Sequence, residues 1–512
     1  MGLISPTSRC NQETGLSSIE FLTMWLFLFL LGIITYLIVQ NNAAKITRTP
    51  IWLLWSVLML PAFLWTLWAA IYGEKEPMPL ILLLGPFLVC PWLYWWLVQR
   101  GRITSSTESG SEQADLAPLS TANSPTGGPR PIDAHEEKSL RDCFPWGVYY
   151  LQQLDYRPQA ILCRGKLQAA PEMAYQRIKE NVERAFGDRF LVLFQESLQG
   201  QPFFALVPNP KTETPTQPET DRLTRPWLAL ALLLITSFTT LVVGAGMSGV
   251  TDKALQSNPE ALWQGLPYSV GIILILGCHE LSHYLTARAY GIRSTLPYFI
   301  PVPFFLGTFG AFIQMKSPVP HRRALFDVAL AGPLGGLVVA LPLLWWGLSQ
   351  SQVVPLTEKS NLLTFSSLDP RFSVLMGVVS KLALGASFGP EQGLALHPLA
   401  IAGYLGLIVT ALNLMPFGQL DGGHIIHAML GQRAAIVVGQ LTRIVMLVLA
   451  FLRHDFFLWA IILLLMPVGD QPALNDVTEL DNRRDLLGIL AMTILVSILL
   501  PLPGALAQWL RI

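Results

Sequence analysis

Long runs of apolar residues are the feature that most restricts the folds open to this chain. About ten runs approach the ~20 residues that a helix needs to cross a bilayer. Charged residues make up only 13% of the 512 residues, about half the share of roughly 25% found in soluble domains. The sequence therefore predicts a polytopic α-helical membrane protein with about ten spans. They lie near residues 21–40, 51–72, 79–98, 227–247, 267–290, 325–348, 395–415, 434–452, 455–469 and 486–508.

Composition divides the chain into four regions. Residues 1–100 hold three runs rich in Trp and Leu, which predict an N-terminal three-span anchor. Residues 101–140 are rich in Ser, Thr, Gly, Pro and acidic residues and predict a disordered linker. Residues 141–211 predict a small soluble α/β domain, and residues 225–512 a membrane core that contains a metal site.

The soluble region alternates short apolar runs with one amphipathic run. Residues 160–164, 190–194 and 202–207 are candidate strands, and residues 171–187 are a candidate helix with Pro171 in its first turn. The region has neither a nucleotide-binding loop nor a cluster of metal-ligand residues. We therefore expect it to serve in binding or gating.

The apolar stretch between residues 294 and 320 does not fit a regular span. Prolines and glycines interrupt it at Pro297, Pro301, Pro303, Gly307 and Gly310. Irregular backbone at membrane depth is tolerated only where it is buried in protein or lines a wet cavity. The sequence thus predicts a re-entrant hairpin whose segment from Phe309 to Met315 presents a strand edge.

One predicted span carries the motif His279-Glu280-Leu281-Ser282-His283. Histidines at positions i and i+4 share one face of a helix, so both imidazoles can reach one Zn²⁺ ion. Glu280 lies beside that face, where it can take a proton from an attacking water. With 8 His and 34 Asp+Glu in the chain, such a motif is expected by chance about 0.008 times. Ionisable residues inside an apolar span also indicate a functional site.

A catalytic zinc site needs a third protein ligand and an open position. Asp421 is the candidate, because Pro416 and Gly418 break the preceding apolar run and let the chain turn inward. His424 and His427 follow closely and compete with Asp421 as ligands. An aspartate that caps the next helix is the simpler explanation for Asp421 taken alone.

These two motifs resemble those of the site-2 protease family, which are intramembrane zinc metalloproteases of the M50 type. HELSH at 279–283 is similar to the family's zinc motif, and NLMPFGQLDGG at 413–423 to its second motif. The resemblance covers residues from about 225 to 470. Residues 307–336, and the region around Arg164-Gly165-Lys166, are similar to the EGY-like subfamily of cyanobacteria and plastids.

The resemblance implies a function and a set of roles. His279, His283 and Asp421 would bind one Zn²⁺ per chain, and Glu280 would act as the general base. Asn413 would donate a hydrogen bond to the substrate or to the developing oxyanion, although a helix-capping role beside Pro416 is an equal alternative. The substrate would be a membrane-spanning protein, hydrolysed within the bilayer.

The resemblance also implies a location and leaves two alternatives. It indicates a multi-pass protein of the plasma or thylakoid membrane of a cyanobacterium-like cell. Lys+Arg and Asp+Glu both number 34, so the charge balance gives no support for nucleic-acid binding. A non-proteolytic membrane scaffold or chaperone that retains a metal site is one alternative, and a metal transporter is the other.

Overall fold

The computed structural model of the chain forms two compact units, residues 1–123 and 124–512. The described residues are 49–72 with scattered positions between 32 and 100, 132–157, 160–197, 200–209, 225–302, 306–355, 365–385, 388–389, 392–452, 456–510 and 512. The predicted spans near 21–40 and 79–98 fall mostly outside these residues, and so does the predicted linker from residue 101 to 131.

The described elements are mostly helices, with eight short strands among them. In chain order they are α1 (Ile51–Tyr72), α2 (Ala134–Asp142), β1 (Tyr149–Arg157), β2 (Ala160–Leu167), α3 (Pro171–Phe186), β3 (Phe190–Glu196), β4 (Pro202–Pro208), α4 (Pro226–Met247), α5 (Asp252–Ser257), α6 (Leu266–Ala289), β5 (Tyr298–Pro301), β6 (Thr308–Phe312), α7 (Arg322–Ser349), β7 (Gln352–Pro355), α8 (Val374–Leu384), β8 (Gln392–Ala395), α9 (Pro398–Leu414), α10 (Asp421–Leu430), α11 (Gln432–Leu452), α12 (Phe457–Leu465), α13 (Asn482–Leu499) and α14 (Gly504–Leu510).

The α/β domain is a four-stranded antiparallel sheet in the order β1-β2-β4-β3. Helix α3 covers one face and buries Ala174, Ile178 and Val182 there, which are spaced as one side of an amphipathic helix. The predicted helix and three predicted strands are confirmed, within three residues at each end. Strand β1 was not predicted, because a bulge between Leu151 and Gln153 interrupts its alternation.

The α/β domain also begins earlier than predicted. Helix α2 starts inside the region predicted as a disordered linker, and Ile132 and Leu140 are buried in the domain core. The helix has a capping box, in which the side chains of Asp133 and Glu136 each accept a hydrogen bond from the other's backbone N–H. This local signal outweighs the polar composition of the segment.

The number of spans differs from the prediction of about ten. Among the described residues five helices are long and apolar enough to cross a membrane, or six if the bent pair α13 and α14 is one span. Helices α9 and α12, predicted as spans, have 17 and 9 residues. The chain beyond residue 124 is thus a helical membrane protein in which α9 is slightly shorter than a full span and α12 is about half of one.

Helices α6, α7 and α9 pack against one another and form the centre of the membrane core. Glycines allow the backbones to approach closely: a methyl group on Gly403 of α9 would lie 2.7 Å from the Leu344 backbone of α7. Such small-residue contacts are typical of helix association in membranes. This close packing fixes the position of α6 against α7 and α9.

Strands β5 and β6 form the predicted hairpin beside this centre. Its turn is tied to two helices, since the Thr239 hydroxyl of α4 donates to the Gly307 carbonyl (2.7 Å) and the Tyr268 hydroxyl of α6 donates to the Leu306 carbonyl (2.8 Å). Gly307 has φ +80°, and a side chain there would meet the Thr240 backbone at 2.7 Å. Only glycine suits both its conformation and this contact.

Candidate metal centre

Three side chains from two helices converge at the centre of the membrane core. His279 and His283 lie on one face of α6, and Asp421 is the first residue of α10. The distance between the two imidazole Nε2 atoms is 3.2 Å. Asp421 Oδ2 lies 3.5 Å from His279 Nε2 and 3.3 Å from His283 Nε2. Among the described residues this is the one group of three such side chains with ligand atoms close enough to hold a metal ion.

The dimensions of this triangle fit a tetrahedral zinc site. Zinc–nitrogen and zinc–oxygen bonds of about 2.0–2.2 Å place neighbouring ligand atoms about 3.3–3.6 Å apart. The three measured edges, 3.2, 3.3 and 3.5 Å, have this size. Three ligands from the protein leave the fourth corner open, as in catalytic sites.

A backbone carbonyl fixes which nitrogen of His283 faces the triangle. His283 Nδ1 lies 2.7 Å from the Val328 carbonyl of α7. A carbonyl only accepts, so Nδ1 donates to it, and Nε2 is the nitrogen that faces the triangle. The backbone carbonyl thereby sets both the tautomer and the orientation of this imidazole. Sequence reasoning missed this contact, because nothing in the motif identifies the carbonyl that faces His283.

Glycines of α7 provide the space for the two imidazoles. A methyl group on Gly332 would overlap the His283 ring, and one on Gly336 would lie 3.3 Å from His279 Nδ1. The two glycines are four residues apart, a spacing that is typical of close helix packing. The structure shows that the helix packed against them is the one that carries the histidines.

Two glycines at the start of α10 let its first turn lie against the end of α9. Side chains on Gly422 and Gly423 would overlap the backbone of Leu414 and Gly418, respectively. The Asp-Gly-Gly sequence therefore places Asp421 where the chain turns back towards α6.

Glu280 lies next to the ligand triangle and is 8% exposed. Its carboxylate is within electrostatic range of His283 and Asp421, and it accepts a hydrogen bond from the backbone N–H of Ile313, just after β6. The hairpin thus reaches the position where a base would act.

The other predicted residues fall into two groups. Asn413, at the end of α9, places its amide nitrogen 3.1 Å from His279 Nε2, so it borders the triangle. His424 and His427 do not reach the triangle. The Nδ1 atoms of both lie within hydrogen-bonding distance of Asp470, at 2.9 and 2.6 Å.

Residues 267–453 match peptidase family M50. This part of the chain is therefore similar to the peptidase domain of the M50, or site-2 protease, class. The chain is also homologous to plant proteins of the EGY type. It is 30% identical over 365 residues to the probable zinc metalloprotease EGY2, chloroplastic, of Arabidopsis thaliana, which covers 71% of this chain and 64% of that protein.

Two further relatives match the chain with similar identity and coverage. EGY2 of Oryza sativa subsp. indica is 28% identical over 367 residues, covering 70% of this chain and 65% of the relative. The Arabidopsis probable zinc metalloprotease EGY1, chloroplastic, is 28% identical over 416 residues, covering 74% of each. The chain thus spans slightly less than two thirds of the EGY2 relatives. No solved structure matches it significantly.

Proposed function

We propose that the chain is an intramembrane zinc metalloprotease that hydrolyses peptide bonds of membrane-spanning proteins. The observation that carries the proposal is the buried carboxylate of Glu280 beside a triangle of His279, His283 and Asp421 with zinc-sized edges. The M50 domain and the zinc metalloprotease names of the relatives support it.

The chemistry follows from the residues around the triangle. A zinc ion at this site supplies Lewis acidity, which polarises the scissile carbonyl and activates water as a nucleophile. Glu280 takes the proton from the attacking water and delivers a proton to the leaving amine. Glu280 is buried, which shields its carboxylate from bulk solvent.

Asn413 is suited to hold the substrate carbonyl. Its amide nitrogen lies 3.1 Å from His279 Nε2, which is about the distance between two ligand atoms of a tetrahedral zinc ion. An amide N–H at this position can donate to the oxygen on which negative charge develops. The contact with His279 favours this role over capping of the helix beside Pro416.

The free edge of β6 is suited to bind an unwound substrate segment. The Gln314 carbonyl accepts a hydrogen bond from the Thr295 N–H, and the Lys316 N–H donates one to the Arg293 carbonyl. The backbone groups of Gln314 and Lys316 therefore face the other arm of the hairpin. By the alternation of an antiparallel ladder, the backbone groups of Ala311 and Ile313 face the other edge. No strand pairs with that edge among the described residues. A substrate strand added there would lie beside Glu280.

The Ala311→Pro variant tests this edge. Proline removes one outward N–H and leaves the inward pairs of β5 and β6 in place. We expect cleavage to fall about tenfold or more, as for the loss of one or two backbone hydrogen bonds to the substrate, with zinc content unchanged. Ala311→Gly, which keeps the N–H, is the matched control. Equal cleavage by the proline and glycine variants would rule out strand addition at this edge.

The alternatives account less well for the site. A scaffold, a chaperone or a transporter with a metal site needs no base beside the ligands, whereas Glu280 occupies that position. We further propose that the partners are the lipid bilayer and a transmembrane protein substrate. The plant relatives are named as chloroplastic, and we propose the thylakoid or plasma membrane of a cyanobacterium-like cell as the location of this chain.

A cleavage assay in liposomes tests the proposed function. The full chain is reconstituted with a panel of doubly tagged single-span proteins that differ in the helix-breaking residues of their spans. We expect cleavage within an apolar segment, loss of cleavage with 1,10-phenanthroline, and recovery on addition of Zn²⁺. Cleavage that persists after complete removal of the metal would contradict the proposal, and so would a zinc-loaded chain that cleaves no member of the panel.

A further inference from the structure

A second buried cluster of charged side chains lies on α10, away from the ligand triangle. His427 is completely buried. Its Nδ1 lies 2.6 Å from Asp470 Oδ2, and its Nε2 lies 3.0 Å from Asp476 Oδ2. Ionised carboxylates only accept hydrogen bonds, so both ring nitrogens must carry protons. His427 is therefore an imidazolium held between two aspartates.

His424 and Arg322 complete this cluster. His424 Nδ1 lies 2.9 Å from Asp470 Oδ2, and Arg322 Nε lies 3.3 Å from Asp476 Oδ1. The Arg322 guanidinium also lies beside Gly431, at the C-terminal end of α10, where a positive charge is favourable. Burial opposes the charged form of His427, but its hydrogen bonds to the two aspartates raise its pKa to about 9. The ion pairs therefore persist at neutral pH.

Both aspartates belong to the segment of residues 470–477, which lies between α12 and α13 in the chain. This segment contacts α10 on one side and the α/β domain on another. Phe194 of β3 donates its N–H to the Leu474 carbonyl (2.7 Å) and accepts from the N–H of Asp476 (2.9 Å). The Gln195 side chain donates to the Ala473 carbonyl (2.8 Å). The segment thus pairs with the edge strand β3 of the domain's sheet through a single parallel bridge between Phe194 and Asn475.

The other side of the segment meets the residues before α7. Leu474 donates to the Val319 carbonyl (2.9 Å) and Asn475 to the Pro320 carbonyl (3.0 Å). The segment is therefore held between the α/β domain and the membrane core, and its aspartates reach α10 from this position.

Helix α10 transmits this contact to the metal centre. It has ten residues and starts at Asp421, so His427 lies about 9 Å along the same helix from the predicted ligand. A helix this short moves as one body. Fixing His427 between Asp470 and Asp476 therefore fixes the rotation of α10, and with it the direction of the Asp421 carboxylate.

We propose that His427 is a positioning residue for Asp421, and that segment 470–477 makes this positioning depend on the docked α/β domain. The inference rests on the proposed role of Asp421 as a ligand. It assigns to the α/β domain a regulatory contact: release of β3 from the segment loosens α10 and weakens the metal site.

The test uses the full chain in nanodiscs and two measurements that need no substrate. Hydrogen–deuterium exchange reports the protection of residues 421–430, and titration with Co²⁺, followed by its visible absorption, reports the metal affinity. The variants are His427→Gln, which can satisfy only one of the two aspartates, and Gln195→Ala, which removes one contact of the domain with the segment. His135→Gln, at an exposed position of α2, is the matched control.

In His427→Gln we expect exchange of residues 421–430 to accelerate about tenfold or more and the Co²⁺ affinity to fall about 10- to 100-fold, as for loss of groups that orient a ligand. Gln195→Ala should change both in the same direction by a smaller factor. The control should match the unmodified chain. Asp476→Asn, a milder change with the same expected direction, replaces His427→Gln if that variant does not fold.

The outcomes separate this inference from the proposed function. Unchanged exchange and affinity in His427→Gln would overturn the positioning role. An effect of His427→Gln without any effect of Gln195→Ala would overturn the dependence on the α/β domain. A chain that binds Co²⁺, responds as expected and yet cleaves nothing would contradict the protease proposal and support this one. If the unmodified chain bound no metal, the role of Asp421 as a ligand would fail, and the positioning role with it.

Discussion

A Glu280→Gln variant is expected to keep one zinc ion per chain and to lose cleavage by a factor of about 10²–10⁴, the usual contribution of a general base. Glutamine has the same shape as glutamate and cannot take a proton from water. The Ile313 N–H that faces this side chain can still donate to its amide oxygen, so the site should keep its geometry. The measurements are zinc content by mass spectrometry and the cleavage rate in liposomes.

Glu260→Gln is the matched control for this variant. Glu260 is an exposed carboxylate just before α6, so its loss should alter neither zinc content nor cleavage. A Glu280→Gln variant that cleaves at the unmodified rate would remove Glu280 from the mechanism. If the variant instead lost its zinc, Glu280 would act on the metal site and its role as a base would need another test.

Asp421→Ala and His283→Ala are expected to reduce bound zinc from about one ion per chain to almost none, because two protein ligands do not form a stable site. His424→Ala is the matched control, since it removes the competing candidate ligand three residues from Asp421. It should still bind about one zinc ion at saturating metal, because His424 contacts Asp470 and not the triangle. If the Asp421→Ala variant kept its zinc and the His424→Ala variant lost it, the third ligand would be His424 and not Asp421.

Much of the metal centre could be predicted from local sequence. The i, i+4 spacing of His279 and His283 places both on one face of any helix that contains them, and the apolar run around them predicts that helix. The hairpin could also be predicted, because prolines cannot continue a span. These predictions depend on backbone geometry within a few residues, which the sequence specifies directly.

The third member of the triangle is different. Sequence spacing left Asp421, His424 and His427 in competition. The structure separates them through Asp470, which lies 46 residues beyond His424, and no local pattern relates these positions. In the same way the Val328 carbonyl, 45 residues from His283, orients that imidazole without any signal of its own.

Composition and periodicity are sufficient to predict a helical membrane protein with a small α/β domain, a hairpin and two histidines on one face of a helix. The folded structure is needed to decide which apolar runs form full-length helices, which of Asp421, His424 and His427 faces the histidines of α6, and how the α/β domain reaches α10. The physical reason is that these outcomes depend on contacts between distant segments. Glycines that admit an imidazole, and aspartates that hold a buried histidine, act only once the helices have packed.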